Sequence, residues 1–166
     1  PSAGAGFVSG VANPVLAKLY HDHGICDTAI MDLPHAERSG LCDDVMQLIE
    51  MSDRQTDREM ATDILLSLLR YAEKNLKQAV AERFSVMPHA PLRIILQFIN
   101  DDIDVARPVL MYSEALNDLD LLYIIQSHYA PFWQAIAARQ NLGQSVIEAL
   151  ADTRDVLTSQ MLIANE

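Results

Sequence analysis

The sequence has little of what chemistry at an active site usually requires. Its 166 residues include two cysteines, Cys26 and Cys42. Two thiols do not make a disulfide framework, and a reducing compartment is the simpler setting for them. No run of Lys and Arg is present, and 12 basic residues stand against 23 acidic ones, for a net charge of −11. A surface of that sign repels phosphate backbones, so DNA, RNA and anionic membranes are poor partners. No apolar stretch reaches the roughly 18 residues that a bilayer span needs, and no secretory leader is recognisable. These absences predict a soluble, cytoplasmic protein. There is no Gly-rich phosphate loop, no His-Glu-x-x-His, no nucleophile elbow and no C-x-x-C. Carboxylates are abundant, but no pair is set apart by an apolar pocket that would tune it for acid–base work. No catalytic residue and no cofactor is predicted. No run alternates with a period of two, so no strand is predicted either.

What the chain does have is apolar residues at helical spacing, and an internal echo. Half of the residues are apolar, which predicts a folded core. Gln134-Ala135-Ile136-Ala137-Ala138-Arg139 nearly repeats Gln78-Ala79-Val80-Ala81-Glu82-Arg83, 56 residues earlier. At the same offset Leu65-Leu66 falls on Leu121-Leu122, Leu68-Leu69 on Ile124-Ile125 and Leu76 on Phe132. A looser echo relates Asp104–Leu110 to Asp155–Met161. Self-similarity over tens of residues marks a repeat array, in which hairpins that cannot bury an apolar face alone stack on their neighbours.

In chain order, residues 1–10 are rich in Gly and Ser and read as a flexible lead-in. Residues 11–56 read as less regular N-terminal helices: Val11–Tyr20 first, then an irregular stretch over 21–42, then a helix from Asp43 to Met51. The repeat array is expected over residues 57–166, in units of about 57–112 and 113–166. Its clearest helix runs from Asp57 to Ala72, with Ala61, Ile64, Leu65, Leu68, Leu69 and Ala72 as one stripe. Asn75 is a candidate cap for the next helix. Pro91 opens a helix whose expected apolar face is Leu92, Ile95, Leu96 and Ile99. Asp102 or Asp104 caps a helix through Tyr112, which Pro108 must bend unless it lies in the first turn. Asn117 or Asp118 caps the next one, Pro131 starts another, and Gly143 precedes a helix over Gln144–Asp152. A last helix reaches Ala164. The count is nine or ten short helices in effectively one domain. Pro1 in place of Met, and an end close behind the last helix, suggest a piece of a longer chain.

The string Asp101-Asp102-Ile103-Asp104-Val105-Ala106-Arg107-Pro108-Val109-Leu110 resembles the second-helix signature of HEAT-type repeats, in which an acidic turn leads into a Val-rich helix with an early Arg. Together with Ser113–Leu121 and Ala135–Arg139, it is similar to a bacterial family of HEAT-like helical proteins, common in alphaproteobacteria and catalogued as a domain of unknown function. The resemblance covers about residues 57–166. It implies an all-α, right-handed HEAT-like solenoid of stacked hairpins, and it brings no catalytic residues with it.

Several constellations merit a place on the map. Arg83, Arg107 and Arg139 recur with the repeat, near acidic turns. Their planar guanidinium forks suit carboxylates such as Asp102, Asp104, Asp118 and Asp120, or helix-end carbonyls. The competing reading is an anion or phosphopeptide site. His21, His23, Cys26, His35 and Cys42 crowd into 22 residues, and four of them would satisfy a tetrahedral zinc ion. The bland reading is exposed histidines and small buried thiols. Trp133 is expected in the core. Arg107, Tyr112, Tyr123 and Trp133 are the candidates for a partner groove.

The function that follows is a non-enzymatic scaffold presenting a helical groove to a protein or peptide. The acidity favours a basic partner, and a homodimer through a terminal repeat is a further possibility. The alternatives are a metal-dependent site in residues 21–42 and a HEAT-like DNA-repair-type enzyme. The latter would need a basic groove that a net charge of −11 argues against.

Overall fold

The structure, a computed structural model, describes residues 31–165. The expected helix Val11–Tyr20 and the lead-in fall outside that range. The described residues form nine α-helices and no strand. They are α1 His35–Met51, α2 Gln55–Arg70, α3 Lys74–Ser85, α4 Leu92–Ile99, α5 Ile103–Tyr112, α6 Asp118–Ser127, α7 Ala130–Ala137, α8 Gln144–Asp152 and α9 Val156–Ala164. The chain divides into two compact units between Leu76 and Lys77.

In the first unit α1 packs against α2. Leu41, Cys42, Val45, Met46 and Ile49 make the buried stripe of α1. The helix begins at His35, well before the expected start at Asp43. Ser39 and Gly40 read as irregular in sequence, and one residue overrides them. The Arg38 side chain is buried and donates to the carbonyls of Leu33 (3.1 Å) and Met31 (3.2 Å), just before the helix. It also reaches the carbonyl of Tyr71 at 2.5 Å, on the residue that ends α2. Charge-assisted bonds of this kind are about twice as strong as neutral ones, enough to hold a weak helix start. In α2 the stripe Ala61, Ile64, Leu65, Leu68 and Leu69 is buried as expected. The helix stops at Arg70, so Ala72 lies beyond it.

Helix α3 starts at Lys74, which puts Asn75 inside the first turn and not at the cap. α4 corrects a second expectation. Its buried residues are Ile94, Ile95, Phe98 and Ile99, while Leu92 and Leu96 are exposed. Two overlapping apolar stripes compete on this short helix. The one holding Phe98 turns inward, where its ring lies 6.1 Å from that of Phe84.

Asp102 caps α5 by accepting from the N–H of Asp104 at 3.0 Å. Pro108 lies past the first turn, where its ring removes one helix hydrogen bond. α6 opens on a full capping box. Asn117 Oδ1 accepts from the N–H of Asp120 at 2.9 Å, and Asp120 Oδ2 accepts from that of Asn117 at 3.0 Å. Asp155 caps α9 through both the N–H and the hydroxyl of Thr158.

Within the second unit the helices pack in an alternating pattern. α4 lies on α5, α6 on α7 and α8 on α9, as chain neighbours. α5 also packs on α7, α7 on α9, and α6 on α8. Each helix from α5 onward therefore touches the one two places along as well as its neighbour. Val105, Ala106, Val109 and Leu110 of α5, and Phe132, Ala135 and Ile136 of α7, are buried.

Candidate functional site

The echo in the sequence reappears in the helices, with one change. α7 begins 56 residues after α3, but α8 begins 52 residues after α4. The difference is the four residues by which α7, with 8 residues, falls short of α3, with 12. One helical turn is missing. The turn residues ahead of the next helix keep step: His89 and Asn141 both adopt left-handed backbone, at φ 55° and 57°, each three residues before α4 or α8 starts.

The cause of the shortening is local. In α3 the last turn is anchored by Phe84, which is fully buried. Its counterpart at the 56-residue offset is Gln140, which is exposed. With no apolar side chain to bury, that turn has nothing to pack against the core, and a short helix depends on such packing. α7 stops at Ala137, and the Asn165 amide donates to the carbonyls of Ala137 (3.2 Å) and Arg139 at its free end.

A cleft of about 610 Å³ lies where the chain leaves helix. One wall is Ala138, Arg139, Gln140 and Asn141, the four residues after α7; the other comes from Met111 and Tyr112 at the end of α5, with Glu114 and Leu116 beyond. Arg139 is its electrostatic centre. The guanidinium donates from Nη1 to the Leu110 carbonyl at 2.5 Å and from Nη2 to the Ser113 carbonyl at 2.7 Å, at the end of α5. Burial pushes its pKa down, and the nearby Asp118 carboxylate pulls it back up. Asp118 is held close to Gly143. A Cβ added to Gly143 would lie 2.2 Å from Asp118 Oδ2, so only glycine fits there as the two residues stand.

The other expected residues fall as follows. Arg83, although it matches Arg139 in sequence, is exposed on α3. Arg107 is exposed on α5. Tyr112 lines the cleft and is 59% exposed. Tyr123 is 70% exposed on α6, one turn from Leu119 at 76%. Trp133 is half-buried, and its indole N–H donates to the Ile125 carbonyl at 2.9 Å. Of the four groove candidates, only Tyr112 is among the residues lining the cleft. Side chains outside this set also reach the acidic turns. Lys77 Nζ meets Asp101 Oδ2 at 2.9 Å, and Gln134 Nε2 meets Asp155 Oδ2 at 3.2 Å. Each carries a side chain from α3 or α7 to the turn before α5 or α9. Arg38 had no signal in the sequence beyond its place in an apparent loop.

His21, His23 and Cys26 lie outside the described residues. Of the other two metal candidates, His35 is exposed on α1, 3.6 Å from Glu73. Cys42 is fully buried, and burial, with Asp43 adding to it, pushes its thiol up to about 12. A thiol so held stays protonated, which makes it a poor nucleophile. Among the described residues no three of His, Cys, Asp and Glu converge to hold a metal ion. No helix among them is long and apolar enough to cross a membrane.

Residues 105–166 match a bacterial family described as "Uncharacterised protein conserved in bacteria (DUF2336)". The match agrees with the resemblance to a bacterial domain of unknown function, over just over a third of the chain. It runs from α5 to the end of the chain and takes in both walls of the cleft. No curated protein and no solved structure matches the chain.

Proposed function

We propose that the chain is a protein-interaction scaffold: a right-handed HEAT-like solenoid of stacked hairpins that presents a helical groove to a protein or peptide. The observation that carries this reading is the outer face of α6. Leu119 and Tyr123, one turn apart, stand in solvent while Leu121, Ile124 and Ile125 of the same helix are buried. A helix that satisfies the core and still offers an apolar, aromatic pair outward suits a partner anchor. The alternation of helix contacts in the second unit supports the solenoid part, since stacked hairpins repeat that pattern. A net charge of −11 favours a basic partner by steering its approach. The free, buried thiol of Cys42 suits the reducing setting of the cytoplasm.

The test is capture from a lysate of the native organism, with the wild-type chain and a Leu119→Asp/Tyr123→Asp variant as parallel baits. A near-stoichiometric protein held by the first and lost by the second is the expected result. Identical profiles from both folded baits would contradict the assignment of α6.

A further inference from the structure

We propose that the cleft beyond α7 captures the C-terminal carboxylate of a partner chain that carries a basic residue at or next to its end. This rests on the scaffold reading and names the chemistry of one of its contacts.

Three observations converge. First, the cleft is where the second repeat departs from the first. It is walled by the four residues that stand in place of the lost turn, and breaks in local consistency tend to fall at functional sites. At about 610 Å³ it lies within the ordinary range for ligand sites.

Second, Arg139 is a half-buried cation whose two hydrogen bonds go to neutral carbonyls. Among the described residues no carboxylate forms an ion pair with it. Burial pushes its pKa down, and the nearby Asp118 carboxylate offsets part of that. An Arg has five N–H donors, and a carboxylate takes two of them side by side. The exposed side-chain amides of Gln140 and Asn141 adjoin it on the same wall, as further donors to a peptide end.

Third, Glu114 lines the cleft too, with its carboxylate exposed. A bare anion would meet Arg139 and Glu114 together and gain little. A peptide end that pairs its carboxylate with Arg139 and a basic side chain with Glu114 satisfies both. Leu116, Met111 and the Tyr112 ring offer apolar contact to its remaining atoms. Such a partner also meets the acidic chain with the right sign.

The experiment titrates the whole 15N-labelled chain with two pools of acetylated pentapeptides, randomised except for Lys or Arg in the last two positions. One pool ends in a free carboxylate and the other in an amide. The expected result is that the free acids shift the amides of Arg139–Asn141 and the Arg139 Nε–H, and that amidation weakens binding about tenfold or more. Both pools are read on the wild-type protein, so the outcome does not depend on whether an Arg139 variant folds. With a third pool, a free acid carrying Gln in those two positions, wild type should favour the basic peptides, while a Glu114→Gln chain should lose that advantage and keep the preference for acid over amide. Equal binding of acid and amide would overturn carboxylate capture while leaving the scaffold reading intact. So would the absence of shifts at the cleft up to millimolar peptide. Failure of the scaffold reading itself shows separately, in the α6 baits.

Discussion

Two stretches with nearly the same six residues, Gln78–Arg83 and Gln134–Arg139, end differently. The first continues as helix to Ser85 with Phe84 buried beneath it. The second leaves helix at Ala137, and Arg139 turns back onto the carbonyls of Leu110 and Ser113. The shared residues set the helix and its packing face. The residue just past the shared segment, Phe84 or Gln140, sets its length, and length decides whether an arginine lies on the surface or joins a cleft.

Exchanging residues between the two stretches should break the comparison, and the largest effect is expected at its hinge. Phe84→Gln copies the second stretch into the first. It should cost at least about 3–5 kcal/mol, from a buried ring lost and an amide left in its place, by denaturant unfolding. Gln140→Phe, on an exposed site, should stay within about 0.5 kcal/mol. Equal costs would mean that the two positions are not the distinction described. Next in size are the arginines. Arg139→Met removes two charge-assisted bonds and should cost about 2–4 kcal/mol, against about 0.5 kcal/mol or less for Arg83→Met on the exposed side of α3.

Gly143→Ala sharpens the picture around Asp118. The added methyl displaces a carboxylate, at a cost of about 1 kcal/mol. In an Asp118→Ala background that cost should vanish, and a double-mutant cycle reads the coupling. A cost that persists would place the strain elsewhere.

The smallest effect is a pH dependence. The hydroxyl and N–H of Thr158, helped by the Gln134 amide, hold the Asp155 carboxyl below the usual carboxylate range. A depressed native pKa stabilises the fold above the ordinary carboxylate value, and that stabilisation is lost as pH falls through the native value. Stability measured from pH 6 down to pH 2 should therefore decline less in Asp155→Asn than in wild type. Parallel curves would remove the Asp155 cap from the account.

Much of this architecture could be read from residues alone, because it rests on short-range chemistry. Asp102, Asn117 and Gly143 mark helix starts through caps and backbone preference, and the stripe from Ala61 to Leu69 marks a face through its period. What escaped the reading rests on contacts distant in sequence. Arg38 extends α1 by reaching Tyr71, 33 residues away. The inward face of α4 was chosen between two equally periodic stripes by the Phe84–Phe98 contact. The cleft had a signal that was available, Gln140 in the place of Phe84, but the match of Arg83 with Arg139 pointed to sameness. The grouping of Tyr123, Trp133 and Arg107 into one groove needed knowledge of where each helix face points, which sequence spacing alone does not give.

The most direct test of the central claim reads the Arg139 guanidinium. Guanidinium NMR on the 15N-labelled chain reads rotation about the Cζ–N bonds and proton exchange for each side chain. Arg139, tied to two carbonyls, should show hindered rotation, resolved Nη signals and slowed exchange. Fast averaging at Arg139, with the chain folded, would mean that it is not held in the cleft, and the distinction between the two stretches would fall.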